Sequence, residues 1–433
     1  MTTAEDRTRA AMDAITSPID SAPPLLLPAT APDGRRRLRP GPRARPGRLL
    51  RSAIAPAAAA AIIVALAVAL VIVRDIPNGR PGPVPAAGGV PRYYVSMVYL
   101  PRSSPGLVIK DTLTGARLAT IAPPHGSMFA HVAGAADDRT FVAGTMLATR
   151  IGNPSQAVTW YLLRISPGGT PAYRLTRLAL PDMRSWFIQG IALSASGRDL
   201  AMALIPAHFN GHPERVLRIY SVATGELLRG WSTNEFAVFG PSYNGPGPWP
   251  QSELPLWWTD GDRALAFPAA GFNSRTGYYQ ERLLDVTTSP GDLIADSRII
   301  WSAPPARATA PSCGFPDATL PRPISLLVTA DGKTVVCTDR SPFPTHDQVP
   351  VRITIRWLAY SVAAKTVRTG YQVNFDALTQ IVTGGVLWAD PSGDTMIVSW
   401  STAPDSTHLG VVSRGKFTPL PSMPAAAIGA PAW

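Results

Sequence analysis

RIYSVATGELLRG at residues 218–230 and LAYSVAAKTVRTG at residues 358–370 carry the pattern that decides the fold. Both place Tyr-Ser-Val-Ala in the same register, followed by a turn and a second short apolar segment. Alternating apolar and polar residues on either side of a tight turn are typical of a β-hairpin. Two distant copies of one hairpin predict an internally repeated, all-β domain.

Weaker copies of the same hairpin fill the chain between and around these two. They are VIKDTLTGARLAT (108–120), LLRISPGGTPAYR (162–174), RLLDVTTSPGDLI (282–294) and GVVSRGKFTPL (410–420). The equivalent points taken for the six copies are Asp111, Ser166, Ser221, Asp285, Ser361 and Ser413. They recur roughly every 60 residues, which is a repeat long enough for one supersecondary unit.

A second hairpin alternates with the first. Its copies are AGAADDRTFVAG, ALSASGRDLAMAL, WWTDGDRALAF, LVTADGKTVVC and WADPSGDTMIVSW, with turns near residues 138, 197, 261, 332 and 393. Asp, Ser and Gly in these turns tolerate the positive φ that tight hairpins need. Turn chemistry also accounts for Asp260 and Asp262 around Gly261, with calcium binding as the alternative. Two alternating hairpins give four strands per repeat.

A four-stranded sheet repeated five or six times predicts a β-propeller, because one blade cannot bury both of its faces alone. We expect six blades, with seven as the alternative, and no long helix after Tyr93. Two strands, Tyr93–Leu100 and Lys416–Leu420, are left over at the ends of the pattern. Their pairing in one blade would close the ring without an exposed sheet edge.

These segments resemble the membrane-anchored WD40-like and TolB-like propellers of bacterial envelope proteins. The turns SASGRD, TADGKT and DPSGDT, with the strand after each, and the SVATGELL hairpin carry the resemblance across about residues 93–433. The Trp-Asp dipeptide of true WD40 blades is absent from the sequence. The resemblance implies a fold and a bacterial envelope location, and a fold does not by itself define a function.

AIAPAAAAAIIVALAVALVIV at residues 53–73 predicts one transmembrane helix, since the stretch carries no charge and spans roughly 30 Å as a helix. Two arginines follow it closely, Arg74 and Arg80, whereas the preceding eighteen residues hold eight: Arg35, Arg36, Arg37, Arg39, Arg43, Arg45, Arg48 and Arg51. The positive-inside rule then places the N-terminus in the cytoplasm. A cleaved signal peptide is the alternative, although no small-residue cleavage site follows closely.

The predicted organisation has four parts. Residues 1–52 form a cytoplasmic Arg/Pro-rich tail, mostly disordered, with a short helix near its start that could hold a partner. Residues 53–73 contact membrane lipid, and the Pro/Gly-rich residues 74–92 form a linker. Residues 93–433 form the propeller outside the cytoplasm. We therefore expect a single-pass protein of the bacterial plasma membrane.

Charge and motifs exclude several classes of function. The net charge is +11, but no dense basic stripe lies outside the tail, so we expect no nucleic-acid partner. No serine-hydrolase elbow, HExxH, P-loop or dinucleotide motif occurs. His208 and His212 are spaced as metal ligands would be on a helix, but Asn210-Gly211 favours a loop there. We predict no catalytic residues, no metal and no cofactor.

Aromatic residues cluster in two Gly/Pro-rich segments, 240–258 and 271–282. Flat rings give a large contact area at little entropic cost, so they are common in binding loops. We interpret the adjacent Trp257 and Trp258 as core residues between blades. The candidate ligand-binding residues are Tyr243, Trp249, Phe272, Asn273, Arg275, Tyr278 and Tyr279.

Cys313 and Cys337 are the only cysteines, and both follow the predicted membrane segment. An even number of cysteines outside the cytoplasm permits a disulfide, which would tie a Pro-rich loop to a strand of its own blade. Two free thiols are the alternative.

Three functions agree with these observations. The first is a membrane-anchored binding or scaffold module for a protein, a peptide or an envelope polymer. The second is a transmembrane regulator whose N-terminal helix holds a cytoplasmic partner such as a sigma factor. The third is a propeller lyase or lactonase, which would need polar residues converging on the central channel.

Overall fold

The computed structural model describes residues 89–98, 105–147, 157–166, 168, 172–207, 214–234, 256–271, 278–302, 326–341, 351–377, 383–401, 407–421 and 427–433. All regular secondary structure among them is β-strand, arranged as six antiparallel sheets of four strands each. Six such sheets around one centre make a six-bladed β-propeller. The predicted all-β propeller and its six blades are therefore confirmed.

The blades are numbered in chain order. Blade 1 consists of β1 (Tyr93–Val98), β2 (Gly106–Asp111), β3 (Arg117–Ile121) and the last strand of the chain, β24 (Ala427–Ala432). Blade 2 consists of β4 (Ser127–Gly134), β5 (Thr140–Leu147), β6 (Thr159–Ile165) and β7 (Tyr173–Arg177). Blade 3 consists of β8 (Trp186–Leu193), β9 (Asp199–Pro206), β10 (Arg215–Ser221) and β11 (Leu227–Thr233).

The remaining blades use only consecutive strands. Blade 4 consists of β12 (Trp257–Thr259), β13 (Ala264–Gly271), β14 (Tyr278–Asp285) and β15 (Ser297–Ser302). Blade 5 consists of β16 (Leu326–Val328), β17 (Thr334–Ser341), β18 (Val351–Ser361) and β19 (Thr366–Ala377). Blade 6 consists of β20 (Thr383–Ala389), β21 (Thr395–Ser401), β22 (Thr407–Ser413) and β23 (Lys416–Pro419).

The first strands of successive blades lie beside one another, so they line the centre of the ring: β4 contacts β8, β8 contacts β12, and β16 contacts both β12 and β20. Blade 6 meets blade 1 at Pro421, which leaves no room for a Cβ at Gly115 in the β2–β3 turn. The ring is closed by these contacts and by β24.

Apolar side chains from both faces of each blade fill the spaces between blades. Trp258 belongs to the cluster between blades 3 and 4, where its Nε1 donates to the Ala192 carbonyl of blade 3 at 3.0 Å. Trp257 packs against the cluster between blades 4 and 5. Both tryptophans are therefore core residues between blades, as interpreted from the sequence.

The hairpins predicted from the repeat occur, but in the 282–294 copy the second strand begins later, at Ser297. The first type joins the third and fourth strands of each blade, and the second joins the first and second strands of blades 2 to 6. Positive φ values at Gly197, Gly261, Gly332 and Gly393 confirm the expected turn chemistry. Strand pairing places Arg164, and not Ser166, at the position equivalent to Ser221, because Thr140 pairs with Arg164 as Asp199 pairs with Ser221.

The closing strand was predicted wrongly. Lys416–Pro419 pairs with β22 and forms the outer strand of blade 6. The strand that closes the ring is β24, which pairs with the inner edge of β1. The C-terminal residue continues this contact, since the rings of Trp433 and Tyr94 lie 4.8 Å apart. The first and last strands of the propeller therefore share one blade, as expected, but the last strand is β24 and not Lys416–Pro419.

The membrane prediction concerns residues outside the described part of the chain. The tail, the predicted transmembrane helix at 53–73 and all but the last few residues of the linker lie there. In the part that the structure describes, no helix is long and apolar enough to cross a membrane.

Candidate functional site

The propeller has two faces that differ in their connections. The turns between strands three and four of each blade, and those between strands one and two of blades 2 to 6, lie at one end of the sheet, here called the turn face. The connections between strands two and three, and those leading to the next blade, join strand ends at the opposite end, here called the loop face.

Short turns on the turn face bind one another across neighbouring blades. The Asp138 carboxylate of blade 2 accepts from the Arg92 amide of blade 1 at 2.5 Å. The Asp262 carboxylate of blade 4 accepts from the amides of Ala195 and Ser196 in blade 3, at 2.6 and 3.0 Å. These bonds satisfy turn amides and fix adjacent blades, so the turn face is already occupied by its own contacts.

The loop face carries the longest connections of the chain. Residues 234–256 join β11 to β12, and residues 303–325 join β15 to β16. They lead into the first strands of blades 4 and 5 and so flank blade 4. Within blade 4, residues 272–277 join the second strand to the third. Long connections on a rigid scaffold are where binding residues usually lie. The loop face around blade 4 is therefore the candidate site.

The sequence-predicted binding residues fall on these connections or at their ends. Tyr243, Trp249, Phe272, Asn273 and Arg275 lie outside the described residues. Tyr278 and Tyr279 begin β14 at the loop face, and the structure describes their backbone alone. Topology thus brings the ends of the two predicted segments to one face of the ring, and the contacts of their side chains stay predictions.

The described part of this region contains a groove of about 470 Å³ at the loop-face ends of β8, β10 and β11. Trp186, Glu214, Arg218 and Gly230 line it, together with Pro290–Gly291 of blade 4. The guanidinium of Arg218 lies over the Trp186 ring, 4.5 Å from its centroid. Gly230 adds no side chain, and a Cβ placed there would only reach Arg218 and Leu217 at 3.8 Å. The groove is therefore open above the Arg218 guanidinium, which lies over the Trp186 ring.

Arg218 differs from its counterpart in blade 4. Arg282 lies at the equivalent position and donates to the carbonyls of Ile294 and Ser297 at 2.9 and 2.8 Å. Arg218 makes one long side-chain hydrogen bond, to the Tyr220 hydroxyl at 3.5 Å. A guanidinium that lies over an aromatic ring keeps N–H donors available to an acceptor. Sequence reasoning missed this pair, because strand pairing alone brings Trp186 and Arg218 together.

Buried charged residues also lie toward the loop face of blades 3 to 5. Arg215 begins β10, and its burial lowers its pKa. Asp339 in β17 accepts from Arg356 in β18 at 3.0 Å. Glu281 in β14 is fully buried, and that burial raises its pKa well above its usual range. Neither Glu281 oxygen has a hydrogen-bond partner.

A second cavity, of about 360 Å³, lies on the turn face of blade 4. Asp260, Asp285, Asp296, Arg263 and Arg298 line it. Hydrogen bonds from Thr287 occupy Asp285 and lower its pKa. Within the described ranges, no group of His, Cys, Asp or Glu is arranged to hold a metal ion. His208 and His212 lie outside them.

Cys337 is fully buried in β17 and is disulfide-bonded. Cys313 is the other cysteine of the chain and lies outside the described residues. A bridge within one chain would therefore join these two cysteines, and this pairing stays a prediction.

Comparisons with known proteins describe the fold and no more. No protein-family model matches the chain, and no curated protein matches it. Among solved structures, TolB from Acinetobacter baumannii is similar over 79% of this chain and 65% of its own, slightly under two thirds, at 14% identity and a TM-score of 0.40.

Two further solved structures are similar at lower identity. Hydrazine synthase from Kuenenia stuttgartiensis aligns over 71% of this chain and 70% of its own, at 12% identity and a TM-score of 0.39. A putative dipeptidyl aminopeptidase IV from Bacteroides ovatus aligns over 78% and 47%, at 10% identity and a TM-score of 0.36. The propeller assignment rests on the sheet topology of this chain itself.

Proposed function

We propose that this protein is a membrane-anchored binding or scaffold module, which uses the loop face around blades 3 and 4 to contact a protein, a peptide or an envelope polymer. The difference in length between the turn-face and loop-face connections supports this proposal most directly. Every turn-face connection is short or packed against its neighbours, whereas the two long connections both flank blade 4 on the loop face.

The residue content of this region agrees with binding. The connection 234–256 begins where β11 ends, beside the groove lined by Trp186 and Arg218. It contains Tyr243 and Trp249, and we propose that their rings contribute to the same binding surface as the groove. Aromatic rings and arginine are the side chains that most often dominate binding energy.

The proposal favours binding over catalysis. A catalytic site needs a nucleophile with its base, or a cluster of metal ligands, at short range. The candidate groove offers an arginine, a glutamate and two tryptophans in place of such a set. Turnover of a sugar, lactone or peptide by the purified protein, abolished by one polar substitution in the central channel, would contradict the proposal.

Membrane anchoring through residues 53–73 is the second part of the proposal. It rests on the uncharged length of that segment and on the arginines before it. A membrane-impermeant thiol label applied to intact cells should modify Gly88→Cys but not Gly34→Cys, in a background without native cysteines. Labelling at position 34 and not at position 88 would reverse the orientation.

Photo-crosslinking in intact cells tests the binding surface. A photoreactive amino acid replaces Trp249 on the loop face, and a matched chain carries it at Lys365, which lies in the β18–β19 turn of the turn face. We expect a defined adduct from position 249 and none from position 365. Equal adducts from both positions, or adducts from 365 alone, would contradict a loop-face site.

A further inference from the structure

Glu281 breaks a pattern that the other five blades share. In every blade, the first residue of the second strand pairs with a residue at or next to the end of the third: Asp111, Arg164, Ser221, Asp285, Ser361 and Ser413. Four residues before these lie the equivalent positions Leu107, Trp160, Leu217, Glu281, Trp357 and Leu409. Five are buried leucine or tryptophan, and the sixth is a buried carboxylic acid.

The strand face of Glu281 locates it in the interface between blades 4 and 5. Leu283, two residues on, packs against the cluster between these blades. Glu281 shares that face by alternation and pairs with Pro268 on one side and Trp301 on the other. Neither neighbour is charged, and the proline has no amide to donate.

Among the residues that the structure describes, the charged and titratable groups of this interface do not bind Glu281. On blade 4, Arg298 pairs with Leu283 and so belongs to the same face. On blade 5, Asp339 and Arg356 bind each other, Tyr360 packs against the cluster, and Cys337 is disulfide-bonded. Both Glu281 oxygens lack a hydrogen-bond partner in the described part of the chain, so an ionised carboxylate here would be buried without compensation.

We propose that Glu281 is a proton-sensitive contact between blades 4 and 5, which keeps the loop-face end of this interface closed while it is protonated and opens it when the proton is lost. The opening would move the start of β14 at Tyr278, three residues before Glu281. The proposal needs no ligand, so it stands or fails independently of the proposed binding function.

The direction of the pH effect follows from proton linkage. Glutamate in an unfolded or opened segment ionises near pH 4.3. Burial raises the pKa of Glu281 well above this value, so the closed interface binds a proton that the open one releases. Closure is therefore fully stabilised below about pH 4.3 and is lost as the pH rises toward the folded pKa, by about tenfold per pH unit.

Hydrogen exchange measured by mass spectrometry on the full-length protein tests this contact. Protection factors, corrected for the intrinsic pH dependence of exchange, are compared between pH 5 and pH 8 for peptides from β13–β14 and β16–β17. In the wild type we expect protection there to fall as the pH rises, by up to about tenfold per unit. In Glu281→Gln and Glu281→Leu, protection should not depend on pH.

Two controls make the outcome specific. Glu226→Gln changes an exposed glutamate in the β10–β11 turn and should behave as the wild type. Leu217→Glu places a carboxyl at the equivalent position of blade 3 and should transfer the pH dependence to the interface between blades 3 and 4. Equal profiles for wild type and Glu281→Gln would overturn the proposal. If no variant folds, the wild type alone still tests the proposal. A loss of protection with rising pH in β5–β6 of blade 2 that equals the loss in blades 4 and 5 would overturn it.

Discussion

The turn face and the loop face of this propeller are built from the same strands but differ in the length of their connections and in the contacts between blades. On the turn face, Asp138 and Asp262 reach across to backbone amides of the preceding blade, so that the turns bind one another. On the loop face, the chain adds long connections around blade 4 and leaves Arg218 stacked on Trp186 in an open groove. We infer from this difference that the turn face maintains the ring, and we propose that the loop face is available for recognition.

Removing the closing strand should have the largest effect. Deletion of residues 427–433 exposes the inner edge of β1 and removes the ring contact of Trp433 with Tyr94. We expect loss of most of the stability of a typical domain, about 5–15 kcal/mol, and loss of a cooperative urea transition. Replacing residues 240–252 with a short Gly-Ser linker should cost less than about 1 kcal/mol. Equal losses would show that the loop face also supports the ring.

The disulfide prediction sharpens the comparison in blade 5. A bridge from Cys313, on the loop-face connection 303–325, to Cys337 would stabilise the protein by roughly 3 kcal/mol in the chain-entropy model. Intact mass with and without reduction and alkylation measures the number of free thiols. Two alkylated cysteines in the unreduced native protein would refute the bridge.

Asp262→Ala removes the turn-face link between blades 3 and 4. It deprives the amides of Ala195 and Ser196 of their acceptor, and we expect a loss of about 2 kcal/mol in urea unfolding. The matched loop-face change is Asp182→Ala, which removes an exposed ion pair with Arg184 and the acceptor of the Arg184 amide, both within one connection, and should cost less than about 1 kcal/mol. A reversed order would contradict the division between faces.

Asp111→Asn should show a pH dependence opposite in sign to that of Glu281. Burial tends to raise the pKa of Asp111, but hydrogen bonds from Thr114 and Arg92 outweigh it and lower the pKa. The carboxylate therefore stabilises the β2–β3 turn above the unfolded pKa, and this stability is lost as the pH falls through the folded pKa. We expect the variant to be about 1 kcal/mol less stable in urea unfolding at pH 7 and equal to wild type in strong acid.

A stability difference for Asp111→Asn that grows as the pH falls would reverse the assigned sign. For Glu281→Gln, linkage predicts that the wild type loses stability relative to the variant as the pH rises above about 4.3. Together the two variants test whether the two carboxyls respond to protons in opposite directions.

The propeller could be predicted from local sequence because each hairpin is recognisable from its own alternating residues and its own turn. Alternation and turn residues predicted both hairpin types and the six blades. The closing strand was missed because AIGAPA contains glycine and proline, which are uncommon inside strands. Lys416–Pro419 follows a clear turn and was taken in its place, although it completes blade 6.

The candidate site was less predictable because strand pairing brings its residues together, and their spacing in the sequence does not show this pairing. Glu281 lies in YYQERLLD, where Gln-Glu-Arg resembles a solvated strand until the pairing with Pro268 and Trp301 shows that the carboxyl is buried. The groove needs β8 and β10 in one sheet before Trp186 and Arg218 meet. The aromatic residues on the connections stay predictions.

The most direct test of the loop-face site is the affinity of the full-length protein for the partner identified by crosslinking. The combined variant Tyr243→Ala/Trp249→Ala removes two loop-face rings, and Lys333→Ala/Lys365→Ala changes two turn-face residues. By titration calorimetry we expect the first to lose about 2 kcal/mol of binding free energy, roughly 30-fold in Kd, with an unchanged melting temperature. The second should bind as the wild type does. Full affinity in the loop-face variant with a loss in the turn-face variant would contradict the account.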